Sequence, residues 1–123
     1  MFTITSDKSI HITRGDVAAI DVSAVGVNGE PHKFQPDDIV RFKVFEKKRC
    51  HEIVLEKDVT VTEETEVVTI KLDTYDTRIG DLINKPVDYW YEVEVNPDTT
   101  PQTIIGYDVS GPKVFRLYPE GDD

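Results

Sequence analysis

Apolar and polar residues alternate with period two along much of this chain, the pattern of strands with one buried face. The clearest run is Val87–Val95, where Tyr89, Tyr91, Val93 and Val95 share one face and Trp90, Glu92 and Glu94 the other. Residues 39–46 alternate as regularly, with Val40, Phe42 and Val44 inward and Arg41 and Lys43 outward. Residues 17–25 set Ile20, Val22 and Ala24 against Asp21 and Ser23, and residues 66–72 put Val68, Ile70 and Leu72 on one side with Glu66. Further strands are predicted at 2–6, Ile10–Thr13, 32–34, 52–59, 102–109 and Lys113–Tyr118. Breaks fall at Arg14-Gly15-Asp16, Asn28-Gly29, Gln35-Pro36-Asp37-Asp38, Asn96-Pro97-Asp98 and Ser110-Gly111-Pro112, all residues with turn chemistry. Residues 73–83 lose the period, and Asp73 is placed to cap a short helical turn over 74–78.

The strands beginning at Val87, Gln102 and Lys113 are consecutive and predict a meander. Turn signals spaced about eight to twelve residues apart describe a sandwich or barrel rather than a βαβ fold. The expectation is one all-β domain over residues 1–123. It is an antiparallel sandwich of roughly eight to ten short strands, with at most one short helix near 73–79.

Acidic residues number 24 and basic residues 14, for a net charge of −10. That balance argues against nucleic-acid binding, which draws most of its affinity from a basic face. No apolar run approaches the ~20 residues of a membrane span. The opening MFTITSDKSI lacks the basic and apolar regions of a signal peptide. The single cysteine, Cys50, forms no internal disulfide, so no oxidising compartment is implied.

Five constellations invite a chemical reading, and each has a plainer one. Arg14-Gly15-Asp16 matches the integrin-binding tripeptide, but Gly-Asp before a strand is ordinary turn chemistry. Cys50 and His51 with His11 and His32 lack the close ligand pairs of structural zinc. Asp73, Asp76 and Asp81 do not follow the calcium-loop spacing. Glu92, Glu94 and Asp108 are the kind of carboxylates any acidic β protein offers. Trp90, flanked by Tyr89 and Tyr91, suggests a sugar-stacking platform. Alternation sends Trp90 outward, where an exposed aromatic marks an interface. No nucleophile–base set, phosphate loop or metal signature emerges, so neither an enzyme nor a cofactor is expected.

The stretches IGDLINKPVDYWYEVEVNP, PQTIIGYDVSGPK and VFRLYPEG, with Ile12-Thr13-Arg14-Gly15-Asp16, resemble small structural proteins of tailed phages and prophages of Gram-positive bacteria. The opening strand, the Arg-Gly-Asp turn, the strand like DIVRFKVFE and the Tyr89–Glu94 hairpin pattern are similar to the N-terminal domain of upper baseplate proteins. The resemblance implies an Ig-like sandwich, made in the bacterial host cytoplasm, that assembles with other subunits in the tail or baseplate of a virion. It brings no catalytic residues. The alternative is a carbohydrate- or host-surface-binding module.

Like-charged copies repel, so assembly, including any homo-oligomer, calls for a local patch of low charge. Residues 99–105 carry no charge, which makes Thr99, Ile104 and Ile105, with Trp90, the first candidate surface. The edge beginning at Phe2 is the second, because an open strand edge can accept another strand.

Overall fold

A computed structural model describes residues 2–25, 29–47, 52–80, 83–99, 102–105 and 112–120. Its elements in order are β1 (Phe2–Ile4), β2 (Ile10–Thr13), β3 (Ala18–Val22), β4 (Ile39–Phe45), β5 (Ile53–Thr60), β6 (Val68–Leu72), α1 (Thr74–Thr77), β7 (Val87–Val95), β8 (Gln102–Ile105) and β9 (Lys113–Tyr118).

These strands form two sheets. The larger has seven strands in the order β1-β2-β9-β7-β4-β5, with β8 also paired to β7. The smaller is the antiparallel pair β3-β6. Strands β9, β7, β4 and β5 lie side by side opposite β3 and β6, the strand order of an Ig-like sandwich. Side-chain alternation makes the fold. Val40, Phe42, Val44, Tyr91, Val93, Val95, Phe115 and Leu117 point from the large sheet into a buried core. Ile20, Val22, Val68, Ile70 and Leu72 meet them from the small sheet. Phe42 lies centrally, its ring centroid 5.4 Å from that of Tyr91 and 6.2 Å from that of Phe115.

Local chemistry fixes the connections. Asp73 caps α1 by accepting from the Asp76 backbone at 2.9 Å, and the Asp76 side chain accepts in return from the Asp73 backbone. This reciprocal box satisfies donors that a helix start leaves open. Between β1 and β2, Lys8 takes a positive φ, and the buried Tyr91 hydroxyl donates to its carbonyl at 2.6 Å.

The predicted faces of 39–46, Val87–Val95 and 66–72 and the short helix match the structure; several pairings and bounds differ. The last three strands do not form a meander. β8 and β9 share one edge of β7 end to end, β8 opposite Val93–Val95 and β9 opposite Val87–Tyr91. Alternation reports which face a residue takes but not which strand lies beside it, and β7 is long enough to seat two short neighbours. The β2–β9 pair is parallel, the exception among the described strand pairs. Residues 32–34 contribute a single bridge, Phe34 to Thr65, rather than a strand. The first strand ends at Ile4, because Thr5 is drawn into the turn by bonds with Lys8 and Ser9. Asn28, residues 106–109 and the Ser110-Gly111 turn lie outside the described residues.

Candidate interaction surfaces

The solvent face of the large sheet is built in cross-strand rows. One row is apolar: Phe45 of β4 lies opposite Trp90 of β7, which lies opposite Val114 of β9. Phe45 is only 8 % exposed although it faces outward, and Trp90 and Val114 are half-buried. On one side runs a polar row, His11 opposite Arg116 opposite Asp88. Arg116 holds Asp88 through two nitrogens at 2.6 and 3.1 Å, and His11 Nδ1 lies 3.0 Å from the Tyr118 hydroxyl. This pairing depresses the Asp88 carboxyl below its ordinary value.

On the other side of the apolar row the face is ionic. Lys43 contacts Glu92 at 3.3 Å and also Glu94. Partial burial works against the Lys43 charge, but the hydrogen bonds it donates to Glu94 and Glu92 outweigh it and raise its pKa. Arg41 meets Asp58 at 2.8 Å, Asp98 at 3.2 Å and Glu56 at 3.3 Å. Its hydrogen bonds hold Asp58 below the usual carboxylate range. The face is therefore one apolar stripe between two bands of paired charge, and partner association through it would desolvate the stripe at the lowest cost.

The structure separates the expected interface residues. Trp90 faces outward, as alternation requires. Thr99 is exposed in the turn after β7, where its backbone donates to Asn96. Ile104 and Ile105 are half-buried and pack against the core, Ile105 directly opposite Val93. They are therefore not free anchors. Phe2 also packs against the core, beside an open groove of about 720 Å³ that it lines with Val17, Leu72 and Lys57.

The chemical candidates resolve individually. Arg14 is buried; it donates to the Gly80 carbonyl at 2.7 Å and pairs with Glu120 at 3.3 Å, so the tripeptide presents no free guanidinium. Gly15 adopts a φ of 89° that suits glycine, and its amide donates to Thr77 Oγ1. Asp73 and Asp76 are occupied by the helix cap, and Asp76 also pairs with Lys57 at 3.0 Å. His11 belongs to the outer sheet face and His32 stands edge-on to Phe34. Cys50, His51, Asp81, Pro101 and Asp108 lie outside the described residues. Among the described residues no group of three His, Cys, Asp or Glu is arranged to hold a metal, and no helix is long and apolar enough to cross a membrane.

Sequence reading missed two parts of this surface. Phe45 completes the apolar row; alternation puts it on the outward face with Arg41 and Lys43, while its apolar character reads as that of a core residue at the strand end. The other is β5, which forms an edge of the large sheet. The charged centre of its sequence, Glu56-Lys57-Asp58, suits an edge, but the central strands β4 and β7 carry charges too, so it does not single β5 out. No known protein family, curated protein or solved structure matches this chain.

Proposed function

We propose that this chain is a structural or adaptor subunit of a phage or prophage virion, working by docking to other tail or baseplate subunits rather than by turnover. The observation that carries the reading is the Phe45–Trp90–Val114 row on the solvent face of the large sheet. A half-buried tryptophan between bands of satisfied charge is a ready anchor, since aromatic side chains dominate interface energy once desolvated. The resemblance of the Tyr89–Glu94 pattern to upper baseplate proteins supports the virion setting.

The test is co-expression with the products of neighbouring genes, comparing wild type with Trp90→Ala and Thr99→Arg by sedimentation. Trp90→Ala should weaken entry into the complex by about 2 kcal/mol or more, the scale of an interface hot spot. Thr99→Arg reports on the adjoining turn. Ile105→Asp is unsuitable, because Ile105 packs on the core. Folded variants that enter the same complexes as wild type would rule the surface out.

The second reading, a carbohydrate-binding module, draws on the Asp88–Arg116 pair in the row beside Trp90. A flat ring next to fixed donors and acceptors is the combination a sugar needs. Glycan-array binding lost in Trp90→Ala would favour it.

A further inference from the structure

Among the described residues, strand β5 pairs with β4 alone and forms the border of the large sheet. At its start Ile53 and Val54 are 44 % and 37 % exposed. A border strand of this length presents backbone donors and acceptors that another strand can use. What it accepts depends on the side chains that would face the newcomer.

Consider first a second copy. A two-fold axis normal to the sheet would pair β5 antiparallel with itself, each residue opposite one of the same face. Of the two longest registers, one sets Glu56 against Glu56. The other sets Lys57 against Lys57 and Glu56 against Asp58. Like charges directly opposite destabilise a strand pair. Lys57 adds a further barrier. It lies opposite Phe42, on the core side of the sheet, and is tied to Asp76 at 3.0 Å. An inward charge at a border is a known obstacle to edge pairing.

A basic strand meets the opposite situation. On the outer face near β5, Arg41 and Lys43 are the cations, set against the carboxylates Glu56, Asp58, Asp98, Glu92 and Glu94. Negative charge is in excess there. Basic side chains at alternate positions of an incoming strand would fall opposite Glu56 and Asp58, and apolar ones opposite Leu55 and Val59. Potentials of this kind fix partner choice and register more than raw affinity.

We propose that the β5 border accepts an extended basic strand from a different protein and refuses a second copy of this chain. This rests on the assembly reading and adds a second contact to it, distinct from the Trp90 face.

The experiment titrates isotope-labelled protein with the blocked peptide Thr-Val-Arg-Glu-Arg-Val-Val, which sets its arginines opposite Asp58 and Glu56 when antiparallel to β5. Amide shifts should concentrate in Ile53–Thr60 and its neighbour β4, weaken with salt, and be absent with the charge-inverted peptide Thr-Val-Glu-Lys-Glu-Val-Val. The double variant Glu56→Lys/Asp58→Lys should bind the first peptide about ten-fold more weakly and gain the second. If that variant fails to fold, the salt dependence and the inverted peptide on wild type still decide. No shifts at millimolar peptide, equal response to both peptides, shifts confined to other strands, or a wild-type dimer through β5 would each overturn the proposal. A failure here with Trp90-dependent co-assembly intact removes only this contact and leaves the assembly reading standing.

Discussion

Phe42 shows what a single residue contributes when its position is set by alternation. It is fully buried and meets the rings of Tyr91 and Phe115. Phe42→Ala should cost about 3–5 kcal/mol, because the cavity left behind collapses only in part. Chemical denaturation of the variant checks it, and an unchanged midpoint would contradict the central placement of the ring. That burial was legible because Val40, Phe42 and Val44 alternate with charged residues. Arg14 was not legible. Its sequence neighbours describe an exposed turn, while its partners, Gly80 and Glu120, lie far along the chain. No local pattern encodes a contact of that range.

At the scale of elements, the short helix and its cap were readable from Asp73, whereas the return bond from the Asp73 backbone to the Asp76 side chain was not. The border position of β5 was not. Strand order follows from long-range pairing, and the same eight residues would read alike in the sheet centre. The charges of β5 acquire meaning only once its neighbours are known. They lead to an engineered outcome. In Lys57→Val/Asp58→Lys, the register centred on position 57 sets valine against valine, and each Glu56 faces the substituted position 58. That protein should dimerise through β5, whereas the wild type should not, as sedimentation over a concentration series would reveal. A doubly substituted chain that stays monomeric at millimolar concentration would show that like-charge opposition is not what guards this edge.

The whole molecule carries a net charge of −10 near neutrality. Acidification relieves that self-repulsion down to the isoelectric point near 4.6, below which the chain turns positive and repels itself again. Paired carboxylates add their own loss of stability at low pH. Hydrogen bonds from the Thr5 hydroxyl and from Ser9 lower the Asp7 pKa from 3.8 to about 2. Asp58 and Asp88 are also depressed by their arginines. A carboxyl depressed by folding takes up more protons in the unfolded chain over that interval. Its stabilisation is therefore present above 3.8 and lost as pH falls toward 2. Thermal midpoints should drop across this window, where the growing positive charge adds to the loss, and Asp7→Asn should flatten the Asp7 share of the slope. A midpoint that stays level or rises between pH 3.8 and 2 would mean that these pairs do not stabilise the fold.

The parallel β2–β9 pairing has a consequence for the order in which the molecule is made. Among the described residues of the large sheet, β1 and β2 reach β7 by way of β9. The bond between His11 and Tyr118 spans 107 positions. A ribosome releases β2 long before β9 exists, so Ile10 and Ile12 emerge without the neighbours that bury them. Closing so long a loop is entropically costly and slow, and exposed apolar strands of a waiting chain invite wrong partners. The nascent hairpin of β1 and β2 thus waits, its apolar face uncovered, for the last strand of the large sheet to be made.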